Sequence, residues 1–384
     1  MRILHTSDWH VGKRLGRYDR TDEYAAAIDE VVDIADAEQA ELVIVSGDVF
    51  DRPQPPIDAL RLAFDGLARL ATKRPVVVVA GNHDSADLFE ALAPFLVGSG
   101  IHLVGDIKHP DSGGILELET AGGPARIGCF PFLRQGRAVD FMAETGQWYG
   151  AYAERVRAIC DSYAAALAAG DGVAVLAAHF MVTGARIGGG TAGRGERELH
   201  IGESYAATSD AIPKTLSYVA LGHIHAPQPV PGANVPAEYA GSLLPLDFGE
   251  AGETKRVVMV DAQVGRPAGV TSIPLSSGRP LLRATGTWDE LVARDDLHGA
   301  YVDLTVLTDG PDPALAEKAR ERFELLVKVR AEYERAEVNT SSLAEHTLPE
   351  LYDEFHQQTH GHSPTPEVAA AFADLLDEVM SASS

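Results

Sequence analysis

The chain has 384 residues, enough for one large domain and one or two smaller ones. Its hydrophobic fraction of 45% is typical of a globular protein with a sizeable core. Two cysteines, Cys129 and Cys160, make neither a disulfide framework nor a thiolate metal site, which favours a reducing cytoplasm. A charged motif begins already at Asp8, so we expect no signal peptide, and no apolar stretch reaches the ~18 residues that a membrane span needs.

The formal net charge of −24 argues against a nucleic-acid ligand, because basic residues that neutralise phosphates supply most of the affinity for nucleic acids. The clustering of the basic residues leaves two interpretations open: solvated loop charges, or a basic rim around an acidic, metal-filled site. In the second case, metals and a partner would supply much of the affinity for a nucleic acid. The clusters are Lys13, Arg14, Arg17 and Arg20; Arg134 and Arg137; and Arg186, Arg194 and Arg197.

Apolar strand-like runs alternate with helical patterns over the first two-thirds of the chain, which indicates a layered α/β domain. Helices are predicted between the first two strands, after Pro55-Pro56 and over residues 151–169, and a hairpin is predicted through Gly122-Gly123. The candidate strands cover residues 2–5, 41–46, 75–80, 173–178 and 218–221.

The remaining third of the chain differs in composition and in its predicted secondary structure. Residues 265–280 are rich in Pro, Gly and Ser and are predicted to form a linker, and the strand and helix patterns that follow indicate a small α+β module. From Leu343 the chain is acidic and helical, and the apolar stripe of its last helix would be covered either by a partner or by the chain's own domain. The prediction is therefore three parts, over residues 1–275, 280–338 and 343–384.

Each of the five predicted strands runs into residues that can bind a metal. Because the carboxyl ends of such strands share one edge, these side chains can converge on one crevice. Carboxylate, carboxamide and imidazole together suit Mn²⁺ or Fe²⁺, and a single Asp that bridges two ions would hold them about 3.5–4 Å apart, a spacing suited to phosphoryl transfer. In chain order the residues are Asp8 and His10, then Asp48, then Asn82 with His83 and Asp84, then His179, and finally His223 with His225.

Nine of the 14 histidines lie outside these motifs, and for them a structural or surface role is the better interpretation. His5 is expected inside a strand. Three histidines near the C-terminus look like a small metal cluster, but we interpret them as solvated residues at a helix end. These three are His356, His360 and His362, and the other surface or loop histidines are His102, His109, His200, His298 and His346.

The ordered set D-x-H, G-D-x-x-D, G-N-H-D, a lone His and G-H-x-H resembles the motifs of calcineurin-like metallophosphoesterases. Within that family, residues 5–12 and 218–225 are similar to the SbcD nucleases, as are residues 195–198 with 201–202, residues 240–245 and residues 248–250 with Lys255. The resemblance covers the whole chain, more loosely beyond residue 265. It implies a layered β-sandwich core flanked by helices, a capping domain at 280–338, and a helical tail at 343–384 that binds an SbcC-type ATPase.

Transferred by position, the resemblance implies one ion on Asp8, His10, Asp48 and His225. The other ion would lie on Asp48, Asn82, His179 and His223, so that Asp48 is shared. Two Mn²⁺ are the implied cofactors, with Mg²⁺ or Fe²⁺ as alternatives.

The same resemblance implies two catalytic residues, His83 and Asp84. His83 would stabilise the transition state or protonate the leaving oxygen, and Asp84 would orient His83. Asp51 stands where some relatives carry His, so a structural and a functional role are both open.

The activity implied by the resemblance is a metal-dependent DNA nuclease in end processing, repair and recombination. It would be a 3′-to-5′ exonuclease on double-stranded DNA and an endonuclease on single-stranded or hairpin DNA. The implied partners are DNA, the SbcC-type ATPase and a second copy of the chain joined through the nuclease domain. The nearest alternative is another calcineurin-like phosphodiesterase or phosphatase, because the metal site is shared. A non-catalytic scaffold would show degenerate ligands, and none of the ligands is missing here.

Overall fold

The computed structural model describes residues 1–134, 152–186, 206–333 and 346–382. Its helices are α1 (Thr21–Ala37), α2 (Ile57–Ala71), α3 (Ala86–Leu96), α4 (Tyr152–Ala168), α5 (Trp288–Val292), α6 (Leu315–Arg322), α7 (Leu348–His360) and α8 (Pro366–Ala382). The strands of the N-terminal half are β1 (Arg2–Thr6), β2 (Leu42–Ser46), β3 (Val76–Val79), β4 (Ile101–Val104), β5 (Ile115–Thr120), β6 (Gly123–Phe130), β7 (Val173–His179) and β8 (Met181–Val182). The strands that follow are β9 (Ala206–Ala207), β10 (Tyr218–Gly222), β11 (Gln228–Pro229), β12 (Ala237–Tyr239), β13 (Arg256–Gln263), β14 (Arg266–Pro274), β15 (Leu281–Thr287), β16 (Tyr301–Leu307) and β17 (Leu326–Glu332).

Two six-stranded sheets form the centre of the fold. The first has the order β14-β13-β1-β2-β3-β4, with β1 to β4 parallel, and the second has the order β11-β12-β10-β7-β6-β5, with β6, β7, β10 and β12 parallel. Parallel neighbours need long crossovers, which α1, α2 and α3 supply in the first sheet. The parallel strands therefore all end on the same side of their sheets, as the predicted metal pocket requires.

The alternation of side chains along each strand creates the layers. In β2, Leu42 and Ile44 belong to the apolar core between the two sheets, whereas Val43 and Val45 pack against the helices of the first sheet. A third apolar cluster joins β7 and β10 of the second sheet to α4. The result is a helix–sheet–sheet–helix sandwich, which confirms the predicted layered α/β fold flanked by helices.

His5 lies inside β1, as expected, and links the two sheets. Its Nδ1 is 2.9 Å from the hydroxyl of Tyr218 in β10, and its Nε2 is 2.7 Å from the hydroxyl of Ser46 in β2. Burial, followed by the charge of Arg256, lowers the pKa of His5 to about 3, so the ring is neutral. Its role is to satisfy polar groups between the sheets.

The prediction of a linker at 265–280 is wrong for most of these residues. Residues Arg266–Pro274 form β14, which pairs antiparallel with β13 after a turn at Gly265, where φ is +67°. Proline lacks an N–H group, but β14 lies at the edge of its sheet, where a missing donor is tolerated. A Pro- and Gly-rich composition therefore does not exclude a strand in this position.

The other predicted elements are present. β5 and β6 form the expected hairpin, and the three-stranded sheet β15-β16-β17 with α5 and α6 has the expected α+β pattern. The chain divides into two compact units, Met1–Val306 with Pro313–Arg330 and Leu307–Asp312 with Ala331–Ser384, and the predicted three-part division remains a prediction. Among the described helices, none combines the length and apolarity required to span a bilayer.

Helices α1 and α2 pack closely at Gly66. A Cβ at this position would lie 2.3 Å from Cγ2 of the buried, β-branched Ile28. Alanine normally stabilises a helix relative to glycine by about 1 kcal/mol, but overpacking costs about 1–3 kcal/mol. We expect Gly66→Ala to lower the free energy of unfolding by about 1–2 kcal/mol, measured by urea denaturation. The exposed neighbour substitution Asp65→Ala should change it by less than about 0.5 kcal/mol, and a stabilised Gly66→Ala protein would contradict the packing argument.

Candidate metal centre

The predicted metal-binding residues lie at the ends of two facing sheets. Strands β1, β2 and β3 of the first sheet lead to the loops that carry four of them, and β7 and β10 of the second sheet bring His179, His223 and His225. His179 is the last residue of β7 itself. The pocket is thus formed between two sheets, and both sheets contribute donors.

The first group of donors comes from the loops after β1 and β10. The Nε2 atoms of His10 and His225 are 3.1 Å apart. Asp8, His10 and His225 each offer a ligand atom, and these three atoms lie within 4.8 Å of one another. Asp8 also accepts a hydrogen bond from the backbone N–H of His223 (3.0 Å), which ties the two loops together.

The second group surrounds Asn82. Its Oδ1 lies 3.0 Å from Nε2 of His179 and 2.9 Å from Nδ1 of His223. The ring of Phe132 stacks on that of His223, with centroids 5.8 Å apart. Oxygen and imidazole donors from β3, β7 and β10 thus face the same point.

Asp48 lies between the two groups. Its Oδ2 is 3.6 Å from Nε2 of His10 and 3.4 Å from Nε2 of His179, and its Oδ1 accepts the backbone N–H of His83 (2.8 Å). Burial disfavours the charge of Asp48, but His179 and His10 outweigh it and hold the pKa of Asp48 well below its usual range. Burial likewise lowers the pKa of His179, but Asp48 outweighs it and raises that pKa to about 9.

The orientation of the rings fits a divalent cation. Nδ1 of His179 donates to the carbonyl of Ser46 (2.8 Å), and Nδ1 of His225 donates to Glu250 Oε1 (3.1 Å), so in the neutral rings Nε2 carries the lone pair. In the neutral form that a metal requires, Nε2 of His179 is an acceptor and faces a second acceptor, Oδ1 of Asn82. Metal–ligand bonds of about 2.0–2.2 Å place two ligand atoms of one ion about 3 Å apart. The 3.0 Å between Nε2 of His179 and Oδ1 of Asn82 matches this separation.

The backbone carries strain at several of the predicted ligands. Five described residues other than glycine have a positive φ, and four of them are Asp8 (+50°), His10 (+49°), Asp48 (+52°) and His223 (+93°). Residues other than glycine rarely adopt a positive φ, and each instance costs roughly 1–3 kcal/mol. Such strain collects at functional sites, where the surrounding structure enforces it.

The glycines that precede the predicted ligands are required mainly for space. A Cβ at Gly81 would lie 2.1 Å from Oδ1 of Asp48, and a Cβ at Gly222 would lie 1.9 Å from the carbonyl oxygen of Ser46. Only Gly47 of the three also has a left-handed φ, +95°. At Gly81 and Gly222, the close approach of neighbouring atoms therefore excludes a side chain.

His83 and Asp84 lie beside the ligands but differ in their contacts. The ring of His83 uses Nδ1 to bind the main-chain carbonyl of Asp51 (2.9 Å). Asp84 is fully buried, and its carboxylate accepts the backbone N–H groups of Gly81, Val49 and Phe50 (2.9–3.2 Å). Asp84 thus holds the backbone of the two ligand loops, and the carbonyl of Asp51 orients His83.

The side chain of Asp51 lies at the edge of the centre. Its Oδ1 is 3.0 Å from Nζ of Lys13 and 3.7 Å from Nδ1 of His10. The His10 and Lys13 interactions outweigh burial and hold the pKa of Asp51 below its usual range. Asp51 therefore stays ionised next to one of the predicted ligands.

Three residues of the predicted basic rim serve other purposes. Arg20 is buried, binds Glu23 (3.0 Å) and donates to the carbonyl of Pro245 (2.6 Å), so it is neither a solvated loop charge nor a rim residue. Arg134 donates to backbone carbonyls of Gly81, Asn82 and Asp84 and supports the ligand loop, and Lys13 pairs with Asp51. Arg137, Arg194 and Arg197, and the family-like residues at 195–198 and 201–202, lie outside the described part of the chain.

A model of the family described as calcineurin-like phosphoesterase matches residues 1–227. The SbcD subunit of the SbcCD nuclease of Bacillus subtilis is 32% identical over 99% of this chain and 98% of its own length. The protein of the same name from Rhodobacter capsulatus is 32% identical over 81% of both chains, and that of Escherichia coli K12 is 28% identical over 91% of this chain and 90% of its own. The chain belongs to the calcineurin-like phosphoesterases.

The near full-length matches further assign it to the SbcD nucleases of that family. It is a metal-dependent nuclease and hence a phosphodiester hydrolase, and the alternative of another calcineurin-like phosphoesterase is not favoured. The family implies divalent ions, and the buried donors meet that requirement.

Behind His225 lies a buried ion pair whose role the sequence did not reveal, although residues 248–250 and Lys255 belong to the SbcD-like pattern. Glu250 binds His225 through Oε1, and its Oε2 binds Nζ of Lys255 (2.7 Å), which also donates to the carbonyl of His225 (3.0 Å). Burial raises the pKa of Glu250, but Lys255 and then His225 outweigh it and hold that pKa below its usual range. The pair fixes both the position and the tautomer of His225.

Glu250→Gln in the nuclease should weaken metal binding. The amide keeps the shape of the side chain but loses the charge that orients His225, and loss of such a partner typically costs 10–100-fold in metal affinity. Calorimetric titration of the metal-free protein with Mn²⁺ measures this. Glu253→Gln is the matched control, because Glu253 binds the same Lys255 (2.9 Å) from a side chain that is 24% exposed. Equal Mn²⁺ affinities in the two variants would show that Glu250 does not support the centre.

Proposed function

We propose that this nuclease cuts DNA with two Mn²⁺ ions that share Asp48. One ion would be held by Asp8, His10, Asp48 and His225, and Mg²⁺ or Fe²⁺ are the alternative metals. The second would be held by Asp48, Asn82, His179 and His223. The observation that carries this proposal is the position of Asp48, 3.4–3.6 Å from one imidazole of each donor group.

When bound, a pair of divalent ions lowers the pKa of water and stabilises charge on the phosphoryl oxygens. Within the chain itself, His83 is proposed as the catalytic residue. Its Nδ1 donates to the carbonyl of Asp51, so Nε2 is the nitrogen free to exchange a proton with the leaving oxygen. We assign Asp84 an indirect role: it binds the backbone of the loop that carries Asn82 and His83, and so holds these two residues in position.

The proposed reactions are 3′-to-5′ exonuclease cleavage of double-stranded DNA and endonuclease cleavage of single-stranded or hairpin DNA, in end processing, repair and recombination. The names of the relatives support a nucleic-acid substrate. A basic groove of about 490 Å³ on the described surface also supports it, because Arg17, Arg320, Lys328 and Arg330 line the groove and could contact phosphates. Most of these residues fall in the region that we propose as the capping domain, 280–338, next to a nuclease domain at 1–275.

A cleavage assay with hairpin DNA in Mn²⁺ tests this function. We expect efficient cleavage of the hairpin and little hydrolysis of a small nitrophenyl phosphodiester. His83→Ala should lower the cleavage rate by about 10²–10⁴-fold, because a general acid is lost. Metal analysis should find both ions retained, and the exposed His298→Ala should keep full activity. Preference for the small diester would refute DNA as the substrate, and metal loss in His83→Ala would refute the assignment of His83.

The helical tail, residues 343–384, is proposed to bind an SbcC-type ATPase, because the relatives are named as subunits of SbcCD. In the described part of the tail, Phe372 of α8 stacks on Tyr352 of α7 with ring centroids 4.1 Å apart. On the same stripe, Leu375 is 61% exposed and Val368 is 40% exposed, so apolar surface remains for a partner.

Two further proposals concern assembly and location. A homodimer through the nuclease domain is supported by large apolar side chains exposed on and just after α2 and α3, namely Ile57 (69%), Phe95 (79%) and Val97 (51%). A cytoplasmic location is supported by the two cysteines, Cys129 and Cys160, which are both free and buried.

Removal of the tail after Leu343 should abolish association with the ATPase and leave Mn²⁺ binding unchanged. Co-purification of the two subunits measures association. A point variant sharpens the test: Leu375→Asp places a charge in the apolar stripe and should weaken binding, whereas Ala370→Asp, on the opposite face of the exposed helix, should not. Undiminished co-purification of the truncated chain would show that the ATPase binds elsewhere.

A further inference from the structure

We propose that the tail carries a second metal site, formed by His356, His360 and His362, which binds Zn²⁺, Ni²⁺ or Cu²⁺. The site is independent of the proposed nuclease function and shares no residue with the metal centre. It replaces the interpretation of these histidines as merely solvated.

The local fold brings the three rings together. His356 and His360 are four residues apart in α7 and therefore lie on one face of the helix, with ring centroids 4.5 Å apart. The helix ends at Gly361, whose φ of +78° reverses the chain while its N–H binds the carbonyl of Gln357 (2.9 Å). This reversal returns His362 to the same face, where its ring centroid is 5.3 Å from that of His356.

The hydrogen bonds of two rings select the nitrogen that is free for a metal. Nδ1 of His356 donates to the carbonyl of His362 (2.9 Å), and Nδ1 of His362 donates to the carbonyl of Ser363 (2.9 Å). Because a carbonyl can only accept, the proton lies on Nδ1 and the lone pair on Nε2. Histidines that bind metals commonly use the other ring nitrogen in this way, which fixes their tautomer.

The ring spacing approaches that of ligands on one ion. With metal–nitrogen bonds of about 2.0–2.1 Å, the centres of two rings on one tetrahedral ion lie about 5 Å apart. The three distances here are 4.5, 5.3 and 6.4 Å. Binding therefore requires the rings to turn toward a common point.

The charge of the segment favours a cation. Residues 346–384 contain no Lys or Arg, so no fixed positive side chain of this segment opposes an ion there. Imidazole ligands without carboxylates select Zn²⁺, Ni²⁺ or Cu²⁺, in contrast to the oxygen-rich centre proposed for Mn²⁺. The acidic residues of the segment are Glu350, Asp353, Glu354, Glu367, Asp374, Asp377 and Glu378.

Calorimetric titration of the full-length chain with Ni²⁺ tests the site. The titration is made in the Asp48→Ala background, which removes the shared ligand of the proposed ion pair and so weakens Ni²⁺ binding at that centre. We expect His356→Gln combined with His360→Gln to remove one equivalent of bound Ni²⁺. With Co²⁺ as the probe, the visible absorption bands of the tail site should disappear in the same variant.

His346→Gln is the matched control, because it removes a histidine of the same tail that lies outside the cluster. It should leave the Ni²⁺ stoichiometry and the Co²⁺ spectrum unchanged. In the otherwise native chain, the double variant should also keep its Mn²⁺-dependent nuclease activity and its helix content by circular dichroism. An unchanged Ni²⁺ stoichiometry in the double variant, or an equal loss in His346→Gln, would overturn the proposal.

Discussion

The buried carboxylate of Asp48 is the constraint on which the rest of the centre depends. A charge that is only 1% exposed costs several kcal/mol unless positive groups or hydrogen-bond donors compensate for it. The compensating groups come from both sheets, His10 after β1 and His179 at the end of β7, so the ends of the two sheets must meet at one point. The strained φ angles at the predicted ligands and the missing Cβ at Gly81 are consistent with this requirement.

The strands and the donors could be predicted from the sequence because both are local features. β2 and β3 are continuous apolar runs, and the donors Asp48 and Asn82 follow them almost directly. Their convergence followed from a general rule about the ends of parallel strands. That rule does not specify how many sheets contribute, so the division of the predicted ligands between two facing sheets became visible only in three dimensions.

The support of the ligands could not be predicted, because it depends on contacts between distant segments. Arg134 holds the carbonyls of a loop that lies 50 residues earlier in the chain, and Glu250 reaches back 25 residues to His225. Arg20 could not be assigned from the sequence either. It belongs to a cluster of basic residues along the chain, and only its burial beside Glu23 reveals a structural role. Composition also misled at 266–274, where pairing with β13 decides the structure and requires only the backbone.

The net charge of −24 looks inconsistent with a nuclease until the individual cations are located. Several of them are neutralised within the fold: Lys255 by Glu250, Arg20 by Glu23 and Lys13 by Asp51. The groove that contains Arg320 and Lys328 is a described surface where several cations lie together. A chain of this kind attracts divalent ions more readily than phosphates over most of its surface, because the average potential is negative. Under the proposed function, a few local features would therefore have to hold the DNA, namely bound ions, that groove and a partner subunit.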